Sequence, residues 1–172
     1  APESYDGLRT ARIIARTVES RLGGADLLLF GRQSADTDNG QVPAMVAELL
    51  GLPQAMVVTK LEVEGGSATA LREIEGGLEK VALELPAVVS AQKGLNEPRY
   101  ETLKGIMAAK KKPVPAVTRE ELGFEPGDLD PQVETSGLDT PAARQAGQVL
   151  QGDPGEPARE LARLRRDEAK VI

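Results

Sequence analysis

Leu8, Ala11, Ile14, Ala15, Val18 and Leu22 recur at spacings of three and four through GLRTARIIARTVESRLGG, the period of a helix with one apolar face. Gly23 and Gly24 follow, and glycine readily closes a helix. The next stretch, ADLLLFG, is a short unbroken apolar run and predicts a strand covered on both faces in a parallel sheet. VPAMVAELLGLPQ returns to helical spacing, with Pro43 suited to a first turn and Gly51 to a stop before Pro53. AMVVT then predicts a second buried strand. From Lys60 onward, KLEVEGGSATALREIEGGLEKVALELPAVVSA alternates apolar and charged residues and carries two Gly-Gly pairs. Val81, Leu83 and Leu85 fall on one face there, so the stretch predicts antiparallel strands, a hairpin or meander with one wet side. Past Pro98, RYETLKGIMAAKKK places Leu103, Ile106 and Met107 on one side of a short helix, with Lys110 to Lys112 at its cation-favouring C-terminal end. Beyond Pro113, FEPGDLDPQVETSGLDTPAARQAGQ is rich in proline, glycine and acid and predicts an irregular arm without its own core. PARELARLRRDEAKVI regains helical spacing, as a docking helix or a solvated tail.

Helix and strand alternate, so the expected class is α/β: an open, mostly parallel, Rossmann-like sheet with an antiparallel hairpin extension and a C-terminal arm. Residues 1–117 are expected to form a partial α/β domain and residues 118–172 an extended arm ending in a helix. Composition narrows the chemistry. The 172 residues suit one domain, and with 40% hydrophobic but only 2% aromatic residues the core must be aliphatic. Acidic residues outnumber basic ones by 27 to 21, which argues against docking to nucleic acid or anionic lipid. Without Cys or His, the chain lacks thiolate nucleophiles, imidazole bases and the usual zinc or haem ligands. No run approaches 18 apolar residues and APESYDG lacks a signal-peptide pattern, so a soluble, intracellular protein without membrane insertion is expected.

The stretch GRQSADTDNGQV, between the first strand and the second helix, is longer and more polar than a connection needs. A strand leading to a helix N-terminus presents free amides at the carboxyl edge of the sheet, where anionic ligands bind in open α/β folds. Gly31 and Gly40 can adopt dihedrals that other residues resist, and Ser34, Thr37, Asn39 and Gln41 can hydrogen-bond a ribose, base or phosphate. Asp36 and Asp38 argue against a bare phosphate cradle; they can accept from ribose hydroxyls or amides, or cap the following helix. Neither glycine-spaced phosphate motif is present, so a nucleotide site and a plain capped loop both stand.

ALREIEGGLEKVALELPAVVSA, Ala70 to Ala91, resembles the signature segment of the beta subunit of electron-transfer flavoproteins, and LNEPRYETLKGIMAAKKKP, Leu95 to Pro113, is similar to that family just downstream. The loop also resembles the family's AMP segment, onto which fall Gly31, Arg32, Gln33, Ser34, Ala35, Asp36, Thr37, Asp38, Asn39, Gly40, Gln41 and Val42. All three lie in family order, and the likeness runs from about Tyr5 to the last helix, loosely after Val117. What the resemblance implies is an electron-carrier subunit without its own catalytic centre. It binds AMP structurally and pairs with an alpha subunit that holds most of the FAD. Residues 91–113 would be a recognition loop that anchors acyl-CoA or related dehydrogenases through Leu103, with Ile106 and Met107 either beside it or packed on their own domain. Electrons would pass on to a quinone oxidoreductase, in fatty acid oxidation. Glu73, in REIEGG, would pair with an arginine of the mobile flavin domain. The location implied is bacterial cytoplasm or, in a eukaryote, the mitochondrial matrix.

Family members begin with further strand-helix units that supply part of the AMP pocket, and nothing here corresponds to them, so exposed sheet edges are expected. Pro43 stands where relatives often have glycine. Two other classes fit the bare loop: a stand-alone adenine-nucleotide-binding sensor or hydrolase-like module, using a metal on Asp36 or Asp38, and an interaction subunit without a ligand.

Overall fold

The computed structural model describes residues 6–134, 136–137, 139–143 and 147–171. Asp6, in extended backbone, accepts from the Arg9 amide at 2.6 Å and so starts α1, Gly7–Arg21. Ala11, Ala15 and Val18 are its buried positions, and it packs on α2, Val42–Leu50. Small residues on that face let the two helices approach closely. Pro43 sits in the first turn of α2, and Gly51 ends it at φ 64°, where the Leu52 amide returns to the Ala47 carbonyl at 2.9 Å.

Among the described residues five strands form one sheet in the order β1-β5-β2-β3-β4: β1 Leu27–Gly31, β2 Gln54–Glu64, β3 Ser67–Ile74, β4 Gly77–Glu84 and β5 Ala87–Ala91. β5 runs parallel to β1 and β2, while β2–β3–β4 is an antiparallel meander, so the α/β class and the open sheet, a parallel core with an antiparallel extension, are as expected. β2 carries two irregularities. Ala55 lies opposite Val89 but Val58 lies opposite Ala91, one residue out of step, and the register against β3 slips again between Val58 and Lys60. A regular strand returns to one face every second residue. Here Ala55, Val58 and Leu61 all meet the same core cluster, three residues apart. Ala68 and Ala70 of β3 and Leu83 of β4 join Ala87 and Val89 of β5 in that cluster, so the meander and the parallel strands share one core.

Two expectations change. The first strand was expected to be covered on both faces, yet Leu29 is 60% exposed, so the face it points to is left open; β1 is also an edge strand, with which only β5 pairs among the described residues. The expected irregular arm also begins differently. Leu122 and Leu129 are buried, Arg12 donates to the Asp128 carbonyl at 2.9 Å, and the Gln132 amide donates to Asp6 at 2.5 Å. The chain therefore divides not at residue 117 but into units Ala1–Thr135 and Ser136–Ile172. The second unit holds α4, Gly155–Arg163, prolonged by a π-helical turn over Leu164–Glu168, with Arg163 donating to Glu160 at 2.8 Å. Residues 135, 138, 144–146 and 172 of the expected arm, and Tyr5 at the other end, lie outside the described residues. Among the described residues no helix is long and apolar enough to cross a membrane.

Candidate functional site

A cavity of about 510 Å³ opens where β1 ends and α2 begins, a size common for small-molecule sites. Ten of the twelve residues from Gly31 to Val42 line it, all but Ala35 and Asp38. Its other walls come from Asp6, Gly7 and Thr10 at the start of α1, with Phe30 and Pro43. Those walls escaped sequence reasoning, although Asp6 before a helical period was a readable cap signal.

The loop is held in shape by its own polar groups. Asp36 accepts from the Thr37 amide at 2.8 Å, the Ser34 and Thr37 hydroxyls stand 3.0 Å apart, and the Asp38 amide donates to the Ser34 carbonyl at 3.2 Å. Hydrogen bonds from the Ser34 hydroxyl first and the Thr37 amide next hold the Asp36 carboxyl below the usual carboxylate range. Asp38 takes a left-handed φ of 58°, which aspartate tolerates, and accepts from the Gln33 side chain. The two acids are thus not paired as metal ligands, and among the described residues no group of three or more such side chains could hold a metal ion.

Neither acid caps α2. Gln41 is its N-cap and makes no side-chain capping bond, so the first-turn amides, less the one that Pro43 lacks, have no side-chain cap. The glycines divide as well. Gly40 needs its φ of 59°, whereas Gly31 ends an extended strand without a positive φ, and a Cβ there would meet nothing within 4 Å. Gly31 therefore contributes an open wall, not a special dihedral. Arg32 brings a cation to the cavity, its guanidinium 3.5 Å from the Gln92 side-chain oxygen. Amides, hydroxyls and one guanidinium, with Asp6 and Asp36 nearby, form a donor set suited to a phosphate joined to a hydroxyl-bearing group.

Elsewhere, the structure separates the remaining candidates. Glu73 lies near the end of β3, opposite Leu78, next to the Arg72–Glu79 ion pair at 2.5 Å; it is exposed, and among the described residues no cation pairs with it. Leu95 packs against the core cluster, and beyond it the chain stands out to α3, Leu103–Ala109, none of whose residues is buried. The Thr102 hydroxyl accepts from the Gly105 amide at 3.1 Å and starts that helix. Leu103 is 76% exposed, Met107 58% and Ile106 39%, so the apolar stripe faces outward and not into its own domain.

Comparison with known proteins gives the family of the chain. Residues 1–122 match the family model described as electron transfer flavoprotein domain. The chain is 46% identical over 147 residues to the electron transfer flavoprotein subunit beta of Bacillus subtilis, covering 86% of this chain and 57% of that protein. It is 42% identical over 145 residues to the subunit of the same name from Mus musculus, covering 84% and 55%, and 38% identical over 161 residues to that of Syntrophomonas wolfei, covering 94% and 61%. It thus spans little more than half the length of these relatives. With most of the chain inside the family model and relatives of this identity, the chain belongs to the electron transfer flavoprotein family, on the side of the beta subunits.

Proposed function

We propose that this chain is the nucleotide-holding and partner-docking part of an electron-carrying beta subunit, without a catalytic centre of its own. In this reading the cavity holds AMP as a structural element, and an alpha subunit holds most of the FAD, which supplies the redox chemistry. The Leu103 stripe docks acyl-CoA or related dehydrogenases, and electrons leave to a quinone oxidoreductase. Glu73 meets an arginine of the flavin-bearing domain. The setting is bacterial cytoplasm or the mitochondrial matrix.

The observation that carries the reading is the cavity itself. Ten of the twelve loop residues converge there on a space of about 510 Å³. The fit to an adenylate is chemical: Arg32 and the first-turn amides of α2 suit the phosphate, Asp36 and Asn39 suit ribose hydroxyls, and Phe30 and Pro43 offer apolar surface to a base. α3 supports the docking role, since an exposed apolar stripe on a short helix suits insertion into a groove. The test is to purify the full-length subunit with its partner, denature it and quantify released nucleotide. AMP at about one per heterodimer is expected, and Asp36→Ala with Gln41→Ala is expected to lower it. Absence of nucleotide, or retention unaltered in the variant, would defeat the assignment.

A further inference from the structure

The first irregularity of β2 sets two residues, Met56 and Val57, against Ser90 alone. An inserted residue leaves a strand amide outside the ladder and turns the strand. Val57 takes a φ of 63°, a left-handed conformation that a β-branched side chain resists. Its amide donates instead to Oγ of Ser90 at 2.9 Å. Ser90 is 2% exposed, and it is the polar residue that the described core buries. Directly beyond, the Gln92 amide donates to the Val58 carbonyl at 2.9 Å, and Val58 pairs with Arg72 of β3. This is where β2 leaves its parallel partner and takes up its antiparallel one. Glu73 is the next residue of β3, so it stands beside this corner.

We propose that Ser90 is a positioning residue: its hydroxyl holds the left-handed corner at Val57, and the corner sets where the Glu73 end of β3 stands at the carboxyl edge of the parallel strands. Without the hydroxyl, the strained corner loses the bond that offsets it, and β2 relaxes toward a regular strand. A slip of one residue turns every later side chain to the other face. The effect on the flavin-bearing partner rests on the reading of Glu73 given above.

The experiment uses the full-length subunit assembled with its alpha partner and follows amide hydrogen exchange at single-residue resolution, together with the rate of flavin reduction by a dehydrogenase. Ser90→Ala is expected to speed exchange at Val57 and across residues 72–78 by tenfold or more, while Ser90→Thr keeps the wild-type pattern. Adding Val57→Gly to Ser90→Ala is expected to restore residues 72–78 while the amide at 57 stays fast, because glycine takes a positive φ without steric cost. Ser90→Cys, a weaker acceptor of similar shape, is expected to give an intermediate loss and serves where the alanine variant does not assemble. Wild-type exchange over 72–78 in the alanine and cysteine variants, or failure of Val57→Gly to restore it, overturns the proposal. Reduction rates indifferent to Glu73→Gln, with the exchange pattern as expected, remove the partner reading and leave the role of Ser90 standing.

Discussion

Leu103→Ala separates a docking residue from a packing residue. Burying a leucine completely is worth roughly 1.5–3 kcal/mol. Leu103 is 76% exposed in its own subunit, so most of that energy is still available to a partner. Alanine keeps part of the side chain, which leaves a loss of about 1–2 kcal/mol at a docked interface, or roughly 5- to 30-fold in affinity. The subunit itself should hardly respond, since a surface truncation changes stability by about 0.5 kcal/mol or less. The assay is flavin reduction in the heterodimer by an acyl-CoA dehydrogenase kept below saturation, with thermal unfolding measured alongside. The expected result is a rate lowered within that range at an unchanged Tm and nucleotide content. An unchanged rate would refute the docking role; a Tm lower by several degrees would show that the residue packs at home.

Two glycines are expected to respond oppositely. Gly51→Ala forces a side chain to φ 64° at the end of α2 and is expected to destabilise by about 1–2 kcal/mol in chemical unfolding, whereas Gly31→Ala, with open space and no positive φ, is expected to leave stability unchanged while lowering nucleotide retention. Equal effects on stability would contradict that division. Asp6 is held below its ordinary value of 3.8 by the Arg9 amide first and the Gln132 amide next, with burial opposing them. A depressed carboxylate contributes stability above its ordinary value and loses it as pH falls through the lowered one. Loss of the cap on the Arg9 amide in Asp6→Ala should cost about 1 kcal/mol at neutral pH, and the depressed carboxyl means that the gap to wild type narrows as pH falls below about 4 in urea unfolding; a gap that stays constant down to pH 2 would contradict this.

The periods of three and four at Leu8 to Val18 and the alternation at Val81 and Leu83 made α1 and β4 legible, because each element buries one face and the spacing records it. Glycine marked the end of α2 for the same local reason. β2 was legible as a strand but not as a bent one. Its core residues are three apart, matching neither the strand period nor the helix period, and the hydroxyl that makes this possible lies 33 positions later. The cavity loop could be located from its residue types, whereas its walls at Asp6 and Thr10 come from a helix start that only the packing of α1 on α2 brings close. Residues 118–134 looked like an arm because their composition is that of loops; what holds them is two leucines and long-range hydrogen bonds, which no local pattern reveals.

Among the described residues β1 has one neighbour in the sheet, so the backbone groups along the other edge of LLLFG are unpaired, and Leu29 is exposed on one of its faces. Edges of this kind are usually guarded by lysine, proline or a kink, and β1 has none of these. A chain that presents it without a covering strand is adhesive: its backbone donors and acceptors will recruit whatever extended peptide is nearby, another copy included. An unpaired edge of this kind favours clumping that worsens with concentration, and any strand laid along it would act as a solubility device as much as an architectural one.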